Sequence, residues 1–515
     1  MLTWLGHRER RIVAGLCLLG ALRVFVYSAA FPPFHSTDEP FHFDLIVKYA
    51  AGHVPVRLLD ERLSAETTTT IVLYGTGWSR PRPDLVLLHH SPEYLNPLPP
   101  DGAVPPPVWT APATVREAVL PWGRERWNSV NYEAMEPPVY YALAGAWYRL
   151  GGALGLTGGQ RFYWTRFLNA LLAAGLVAIA ALFARAVCPD NRALALAVPL
   201  LVAAFPQDSF YGATNDAPLA PLLFGAALWA LLQILRAAPP WPWYVLAGVL
   251  VAATVLTKYS HVAIVGALGL TLAVVGATRR DRAEYVRLGG LVLIVLVLIG
   301  AWVSRNVWLA GEVTGSHQKA VALGWSVKSL AAIGDHPFFG RGAIGALIGD
   351  FGTDLLATFW RGEIAWHGRP MTLPGIDRVY ILSSVLLLTC AVIRAAGARV
   401  RAERLALGIS AATLLLAVAA VAALSIVFDF GTQNQYPSRA RPYFTQGRLL
   451  VGTLVPFVTL YLYGLQGALS WARLRSAGAL LIVTIAIALV ALGAQLVVIA
   501  PVFASSYNWF HLVGR

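Results

Sequence analysis

Two adjacent acids, Asp38 and Glu39, follow the first apolar stretch of the chain. Ser36 or Thr37 can cap a helix whose first turn holds both acids, and a helix N-terminus favours the ionised carboxylate. An ionised Asp38 could act as a general base on an acceptor hydroxyl or bind a divalent metal. His42 falls one turn later, on the same face. Acids in a first turn also simply stabilise helices, so the pair alone leaves catalytic and structural roles open.

Further acids stand where apolar segments begin or end. Glu136 begins the segment Glu-Pro-Pro-Val-Tyr-Tyr, which contains Tyr140 and leads the first loop back to the membrane. Asp208 and the pair Asn215–Asp216 flank apolar runs. Asp216 begins an apolar helix, where an acid is costly unless it is used. A proline-led helix start and a solvated turn capped by Asp and Asn explain the same residues without function.

Several cations follow apolar runs on the same predicted side of the membrane. Lys258 lies in a short turn, Arg305 ends an apolar run, and Arg441 and Arg448 share one loop. Cations on an outer face go against the usual topological bias, and guanidinium groups bind phosphate oxygens in bidentate fashion. A lipid-linked phosphate therefore fits them, and so does the headgroup of an anionic phospholipid.

A second polar segment, 305–377, contains titratable residues such as Arg361, Glu363 and His367 among aromatic pairs such as Phe359-Trp360. Aromatic faces can stack on sugar rings. They also anchor interfacial helices, and for any one of them this second interpretation is favoured.

The composition indicates a membrane protein. Of 515 residues, 57% are hydrophobic and 13% are charged, against about 25% charged in an average soluble domain. Apolar runs recur along the chain, and backbone groups in lipid must be satisfied internally, so the runs are helices. The sequence predicts an all-α polytopic membrane protein with about eleven (roughly nine to thirteen) transmembrane helices. Their predicted positions are 12–30, 166–187, 193–206, 217–236, 242–257, 260–278, 286–304, 378–396, 405–427, 449–470 and 477–500.

Other classes of protein fit the sequence less well. The net charge of +13 comes largely from arginines in short loops, which indicates membrane topology and no nucleic-acid partner. The three cysteines have no metal or disulfide spacing. The sequence has no Walker loop and no His-Glu-x-x-His motif.

The positive-inside rule predicts the orientation. An arginine-rich start indicates a cytoplasmic N-terminus, so the acids at 38–39 lie outside. To keep the later arginine loops inside, we expect 137–156 to lie at the interface without crossing. The predicted regions are a first transmembrane helix (1–30), an outer loop with interfacial helices (31–165), a transmembrane core (166–304), a second outer loop (305–377) and C-terminal transmembrane helices with an outer loop at 428–448 (378–515).

The order and common side of these motifs resemble the GT-C superfamily of integral-membrane glycosyltransferases, including aminoarabinose and protein O-mannosyl transferases and related bacterial membrane proteins. The matching features are Asp38-Glu39, Glu136-Pro-Pro-Val-Tyr-Tyr141, Asn215-Asp-Ala-Pro218, Thr257-Lys258, Arg305-Asn306 and the stretch Arg441–Arg448. The resemblance is close through about residue 306 and loose beyond it.

The resemblance implies a role for each motif. Asp38 would be the catalytic base or a metal ligand, supported by Glu39, Glu136 and Asp216. The donor phosphate would be bound by Lys258, Arg305 and Arg448, with Arg441 beside them, and the substrate by His42, Tyr140 and Asn215. A divalent cation is left open.

The resemblance thus implies an inverting glycosyltransferase in a bacterial inner or plasma membrane. It would move a sugar from a polyprenyl-phosphate donor to a lipid, glycan or protein acceptor on the extracytoplasmic face, amid membrane lipids. A flippase for lipid-linked glycans and a polysaccharide ligase are the alternatives. A transporter would carry charges near the bilayer midplane, whereas the predicted spans are nearly free of acids.

Overall fold

Helices make up most of the chain, and the longest of them lie where the recurring apolar runs predict. The structure is a computed structural model that describes residues 6–36, 38–75, 81–82, 85–86, 106–366, 369–431 and 437–513. The protein is an all-α polytopic membrane protein, in which short helices and two-stranded pairs fill the segments between the long helices.

The α-helices are numbered in chain order. They are α1 (His7–Ala30), α2 (Glu39–Ala50), α3 (Ala65–Tyr74), α4 (Ala113–Arg126), α5 (Pro138–Ala153), α6 (Gly158–Val187), α7 (Arg192–Ala204), α8 (Leu219–Arg236), α9 (Pro242–Val255), α10 (Ala263–Thr278), α11 (Arg282–Ala310), α12 (Ser316–Ala322), α13 (Leu330–Ile333), α14 (Ala343–Gly345), α15 (Asp354–Arg361), α16 (Pro374–Ala396), α17 (Arg401–Val427), α18 (Leu454–Trp471), α19 (Ala477–Phe503) and α20 (Trp509–Val513).

Single helical turns and short strands complete the secondary structure. The 3-10 turns are Leu58–Asp60, Val108–Thr110, Asp208–Phe210, Tyr259–His261, Pro337–Phe339, Gly447–Leu449 and Val451–Thr453, and Ala346–Thr353 is π-helical. The strands are β1 (Pro81–Arg82), β2 (Leu85–Val86), β3 (Ser326–Val327), β4 (Ala365–Trp366), β5 (Arg369–Pro370) and β6 (Phe428–Asp429). They pair antiparallel as β1 with β2, β4 with β5, and β3 with the distant β6.

Within the described residues, nine helical segments are long and apolar enough to cross a bilayer. They are His7–Ala30, Gly158–Val187, Leu219–Arg236, Tyr259–Thr278, Arg282–Ala310, Pro374–Ala396, Arg401–Val427, Val451–Trp471 and Ala477–Phe503. The shorter apolar helices α7 and α9 occupy the other two predicted positions. Such helices are only roughly 20 Å long at 1.5 Å per residue, less than the ~30 Å hydrocarbon core, so the number of crossings stays a prediction.

The basic loops predicted to be cytoplasmic meet at one end of the helix bundle. Arg192 lies 3.6 Å from Glu9, and Arg279 donates to the carbonyl of Leu235 at 2.8 Å. Arg394 donates to the carbonyl of Tyr463 at 2.7 Å. Asn191 donates to Gln466 Oε1 at 2.7 Å, so loops from both halves of the sequence meet there. The orientation of this end stays a prediction.

Helix α5 contacts elements of the opposite end. The Val139 amide donates to the Leu256 carbonyl at 3.0 Å, where α9 has just ended. At the other end of α5, Trp147 stacks on Trp164 in the first turns of α6, with ring centroids 4.3 Å apart. Arg161 lies over the Tyr148 ring at 3.7 Å. Both ends of α5 therefore contact elements at the end of the bundle that carries Asp38, and the position of 137–156 along the membrane interface stays a prediction.

Two cores position the site between them. The larger joins the long helices: α1 packs on α6, α6 on α7 and α8, and α16 on α18. The smaller lies at the end of the bundle that carries Asp38, where α2 packs on α3 and α5 and its aromatic side chains interlock. The aromatic residues buried in this second core include Phe34, Phe43, Tyr141, Phe162 and Tyr163.

Candidate active site

The turn between α1 and α2 presents the first acid. Helix α2 begins at Glu39, and Asp38 takes the capping position without making a side-chain cap bond. The prediction that Ser36 or Thr37 caps the helix, with both acids in its first turn, is therefore wrong for Asp38; Thr37 itself lies outside the described residues. Because the Asp38 carboxylate is not used by the helix, it is available to other elements.

Asp38 is bound by two residues distant in sequence. Its Oδ1 accepts a hydrogen bond from the Tyr132 hydroxyl at 2.8 Å, and its Oδ2 lies 2.6 Å from Nη2 of Arg448. Burial raises the pKa of the Asp38 carboxyl, but the charge of Arg448 and the Tyr132 hydrogen bond outweigh burial and hold the pKa well below its usual range. Asp38 is thus an ionised carboxylate at neutral pH.

A close backbone approach puts Arg448 in this position. Gly447 lies directly against the end of α15, where a Cβ atom would stand 2.0 Å from the Phe359 amide nitrogen. Its own amide donates to the Thr358 hydroxyl at 3.0 Å. Only glycine fits this contact, which explains the Gln-Gly-Arg motif: the glycine lets the loop lie on α15 and deliver the arginine to Asp38.

A second acid pair lies on the far side of Arg448. The Glu363 carboxylate lies 4.0 Å from Arg448 Nε, and the Glu363 amide donates to Asp208 Oδ2 at 3.0 Å. Gly362, with φ +83°, makes this possible, since a Cβ there would fall 1.7 Å from Asp208 Oδ1. Burial is the main cause that raises the pKa of Asp208 to about 6 and that of Glu363 to about 7.

These groups line one open cavity of about 240 Å³. Its wall comes from four separate segments of the chain. The lining residues are His35, Ser36, Asp38, Asp208, Ser209, Gly212, Ala213, Asn215, Glu363, Ile364, Gln446 and Arg448. Gln207 joins the segment that contains Asp208 to the end of α15, because its side-chain amide donates to the carbonyls of Thr358 and Phe359.

Glu39 points away from the cavity and binds Arg166. Both side chains are fully buried, and Nη2 of Arg166 lies 2.7 Å from each Glu39 carboxylate oxygen. Arg166 also donates to the carbonyls of Phe31 and Pro32, while Glu39 accepts from the Thr214 amide at 2.7 Å. The pair joins α2, α6 and the 207–216 segment, so Glu39 supports Asp38 as a structural anchor and does not face the cavity.

The other predicted acids form ion pairs outside the lining of the cavity. Asp216 is buried and accepts from Lys258 Nζ at 2.8 and 3.1 Å. Glu136 and its neighbour Glu133 both bind Lys319 Nζ, at 2.9 and 2.6 Å. Lys258, predicted to bind phosphate, is thus paired with an acid, and Lys319 was not predicted at all.

Two predicted substrate contacts lie below the surface. His42 is buried and its Nδ1 hydrogen-bonds the Tyr141 hydroxyl at 2.7 Å. Burial lowers the pKa of His42 to about 4, so its imidazole is neutral at neutral pH. Tyr140 is fully buried, and within the described part of the chain its hydroxyl has no hydrogen-bond partner.

Two predicted cations lie elsewhere. Arg305 donates to the carbonyls of Val54 and Pro55 and stacks on the ring of Trp302, so the structure does not bring it to Asp38. Arg441 pairs with Asp354 at 2.9 Å and is exposed. Asp354 also lines a neighbouring cavity of about 250 Å³ that shares Glu363 and Ile364 with the first.

The structure therefore brings together Asp38, Asn215 and Arg448 of the predicted site. Sequence reasoning noted Asp208 and Glu363 as polar outer residues without assigning them to the site, and it missed Tyr132. A glycine directly precedes a charged residue in both Arg361-Gly-Glu363 and Gln446-Gly-Arg448. This shared pattern could have linked Glu363 to the site of Arg448.

A divalent cation at Asp38 was predicted as an option. Among the described residues, no group of three or more His, Cys, Asp or Glu side chains has an arrangement that could hold a metal ion. The two carboxylate oxygens of Asp38 are instead bound by the Arg448 guanidinium and the Tyr132 hydroxyl, both of which are hydrogen-bond donors. As arranged here, the residues do not fit a metal at this carboxylate.

Comparison with known proteins adds a family. The family described as "Predicted membrane protein (DUF2142)" matches residues 17–450. The sequence matches no curated protein.

Several solved structures are similar to this chain at low sequence identity. ArnT from Cupriavidus metallidurans, bound to undecaprenyl phosphate, is similar with a TM-score of 0.45 at 13% identity, over 95% of this chain and 73% of that one. The Archaeoglobus fulgidus oligosaccharyltransferase in complex with Zn and sulfate gives a TM-score of 0.40 at 14% identity, over 73% of this chain and 45% of that one. This chain thus spans about half the length of the archaeal enzyme. Likeness at this level says nothing about substrate.

Proposed function

This chain belongs to that family of membrane proteins, and we propose that it is a GT-C-type glycosyltransferase that moves a sugar from a polyprenyl-phosphate donor to an acceptor hydroxyl at the extracytoplasmic face. The observation that carries the proposal is the cavity in which Asp38 and Arg448 meet at 2.6 Å. A general base and a phosphate-binding cation are the two groups such a transfer requires.

An apolar crevice beside the cavity supports a lipid-linked donor. It lies between α16 and α19 and shares Ile364 with the polar cavity. Leu373, Ile376, Tyr380 and Val498 are among its lining residues. The crevice measures only about 30 Å³, so it would take at most the first carbons of a hydrocarbon tail whose polar head lies in the cavity.

The chemistry follows from the Asp38–Arg448 pair. While paired, Asp38 is a weak base because the arginine stabilises its charge. A donor phosphate competes for the guanidinium, and as Arg448 turns to the phosphate, Asp38 regains basicity. The acceptor hydroxyl then attacks the anomeric carbon in line, and its proton passes to Asp38. The bond from carbon to phosphate oxygen breaks, and polyprenyl phosphate leaves with its charge held by Arg448.

Conversion of a lipid-linked sugar by purified protein tests the proposal. The protein in lipid nanodiscs is given polyprenyl-phosphate hexoses and a membrane extract as acceptor source, and release of polyprenyl phosphate is measured. A positioned base contributes roughly 10²–10⁴-fold, so Asp38→Asn should lose about that factor while its thermal unfolding is unchanged.

Asp60→Asn is the matched control, because Asp60 is an exposed acid in the same outer region. It should release polyprenyl phosphate at the wild-type rate. If Asp38→Asn turns over at the wild-type rate, Asp38 is not the general base. In sealed proteoliposomes, movement of intact donor across the bilayer without turnover would replace the transferase by a flippase.

A further inference from the structure

The cavity contains buried polar atoms that the proposed chemistry does not use. His35 and Ser209 are 4% and 6% exposed and both line it. Within the described residues, His35 Nδ1, Ser209 Oγ and Gln446 Oε1 have no hydrogen-bond partner. Buried polar atoms are normally paired, so three unpaired atoms on residues that line one cavity point to a ligand that supplies their partners.

The charges of the cavity define what that ligand can be. Among the described residues that line the cavity, Asp38, Asp208 and Glu363 are carboxylates and Arg448 is the one guanidinium. The charge of Arg361, outside this lining, also lowers the pKa of Asp208 and of Glu363. Burial and the charge of Arg166 hold the pKa of His35 well below its usual range, so its ring adds no positive charge. Once a donor phosphate engages Arg448, the rest of the wall is neutral or negative.

Such a wall suits the hydroxyl groups of an uncharged sugar. An ionised carboxylate only accepts hydrogen bonds, whereas a hydroxyl, a neutral imidazole and an amide can pair with a hydroxyl in either or both directions. A sugar carboxylate, by contrast, would bring another negative charge beside Asp208 and Glu363 in a partly buried site, where like charges repel strongly.

We propose that His35, Asp208, Ser209, Glu363 and Gln446 form the sugar subsite, and that its two acids exclude anionic sugars such as uronic acids. The proposal rests on the proposed function, which it deepens by naming the class of sugar. Asp208 and Glu363 are specificity-determining residues on this view.

Donor binding at pH 8 tests the proposal. The probes are bare polyprenyl phosphate and matched pairs on the same lipid: glucose with glucuronic acid, galactose with galacturonic acid, and mannose with mannuronic acid. We expect bare polyprenyl phosphate to bind, and at least one neutral sugar to bind about 100-fold more tightly than its uronic partner, an order set by like-charge repulsion. Equal binding of the members in all three pairs would overturn the subsite.

Substitutions locate the discrimination. Asp208→Asn and Glu363→Gln keep the shape of each side chain and should each reduce the preference by about tenfold, mainly by admitting the uronic member. Asp350→Asn, an exposed acid of the same outer loop, should keep the full preference. A preference unchanged in both cavity variants would remove the two acids from this role.

Failure of the broader function gives a different result. If bare polyprenyl phosphate does not bind, the lipid-phosphate donor itself is wrong. If it binds and the uronic and neutral donors then bind equally, only the sugar subsite is wrong. The comparison of donors on the wild-type protein requires no substitution, so a variant that fails to fold does not decide the outcome.

Discussion

Arg448 Nη2 lies 2.6 Å from Asp38 Oδ2, although 410 positions separate the two residues in the chain. The contact joins the start of α2 to the loop before α18, at the end of the bundle away from the basic loops. The candidate base and the candidate phosphate-binding group therefore form an ion pair, in which each charge shifts the pKa of the other group. A donor phosphate that binds Arg448 would have to displace Asp38 from it.

Replacing Arg448 should change both binding and pH dependence. Arg448→Gln should weaken polyprenyl-phosphate binding by roughly 10- to 100-fold, since a hydrogen bond to a charged group contributes about 1.5–3 kcal/mol. Arg448 lowers the pKa of Asp38, so its removal raises that pKa. The fall in transfer rate on acidification should then begin at a higher pH than in wild type.

A donor titration and a pH–rate profile measure these two effects. Arg448→Lys, which keeps the charge without the bidentate geometry, should lie between wild type and Arg448→Gln. Arg341→Gln, at an exposed position, is the control. An unchanged donor affinity in Arg448→Gln would take Arg448 out of the donor site.

Gly362 should tolerate no side chain. Its φ of +83° and ψ of −158° belong to a region open essentially to glycine, and a Cβ would meet Asp208 Oδ1 at 1.7 Å. Gly362→Ala should cost about 1–3 kcal/mol in strain and move Glu363 away from Asp208. We expect at least a tenfold loss of transfer and a lower unfolding temperature.

The matched control is Gly349→Ala, because a Cβ at Gly349 meets nothing within 4 Å. Thermal unfolding and transfer rate are measured on both variants. Equal behaviour of the two would mean that the turn at Gly362 does not shape the site.

Glu39 should prove to be a structural residue. Removing one partner of a buried ion pair typically costs about 3–5 kcal/mol, and Glu39→Gln leaves the fully buried Arg166 without its carboxylate. We therefore expect a lower folded yield and a lower unfolding temperature.

Arg439→Gln breaks an exposed pair with Asp429 and should change the unfolding temperature little. Fluorescence-detected size exclusion and a thermal ramp compare the variants. If Glu39→Gln folds like wild type and loses only transfer, the direct catalytic role suggested by the sequence is the better one.

Cysteine labelling tests the predicted orientation. In a background without Cys17, Cys188 and Cys390, a cysteine replacing exposed Asp60 should react with a membrane-impermeant maleimide added to intact cells. One replacing exposed Arg475 should react only after the membrane is opened. The reverse pattern would put the cavity on the cytoplasmic side.

The fold class and the outline of the bundle could be predicted because each depends on local sequence. Runs of apolar residues predict helices, since lipid leaves the backbone no other partner. The nine long helical segments and the two short ones fall where those runs lie. Asp38 and Arg448 could be singled out because their types and their positions at helix ends are visible in sequence.

The pairing of side chains could not be predicted, because it depends on segments that meet only in the folded chain. Glu39 and Asp38 are neighbours of the same charge, yet one is buried against Arg166 and the other reaches the cavity. The turn into α2 points the Asp38 side chain toward the cavity and the Glu39 side chain toward Arg166. Lys258 resembled a phosphate ligand until its pairing with Asp216 was known.

The sequence by itself determined that the chain forms membrane helices with acids and cations at helix ends, because hydrophobic periodicity and charge act over a few residues. Tertiary structure alone decided which of those charges share a cavity. Backbone approaches at Gly362 and Gly447 bring Asp208, Glu363 and Arg448 around Asp38. An ion pair forms wherever packing leaves two opposite charges adjacent, and no local pattern records that distance.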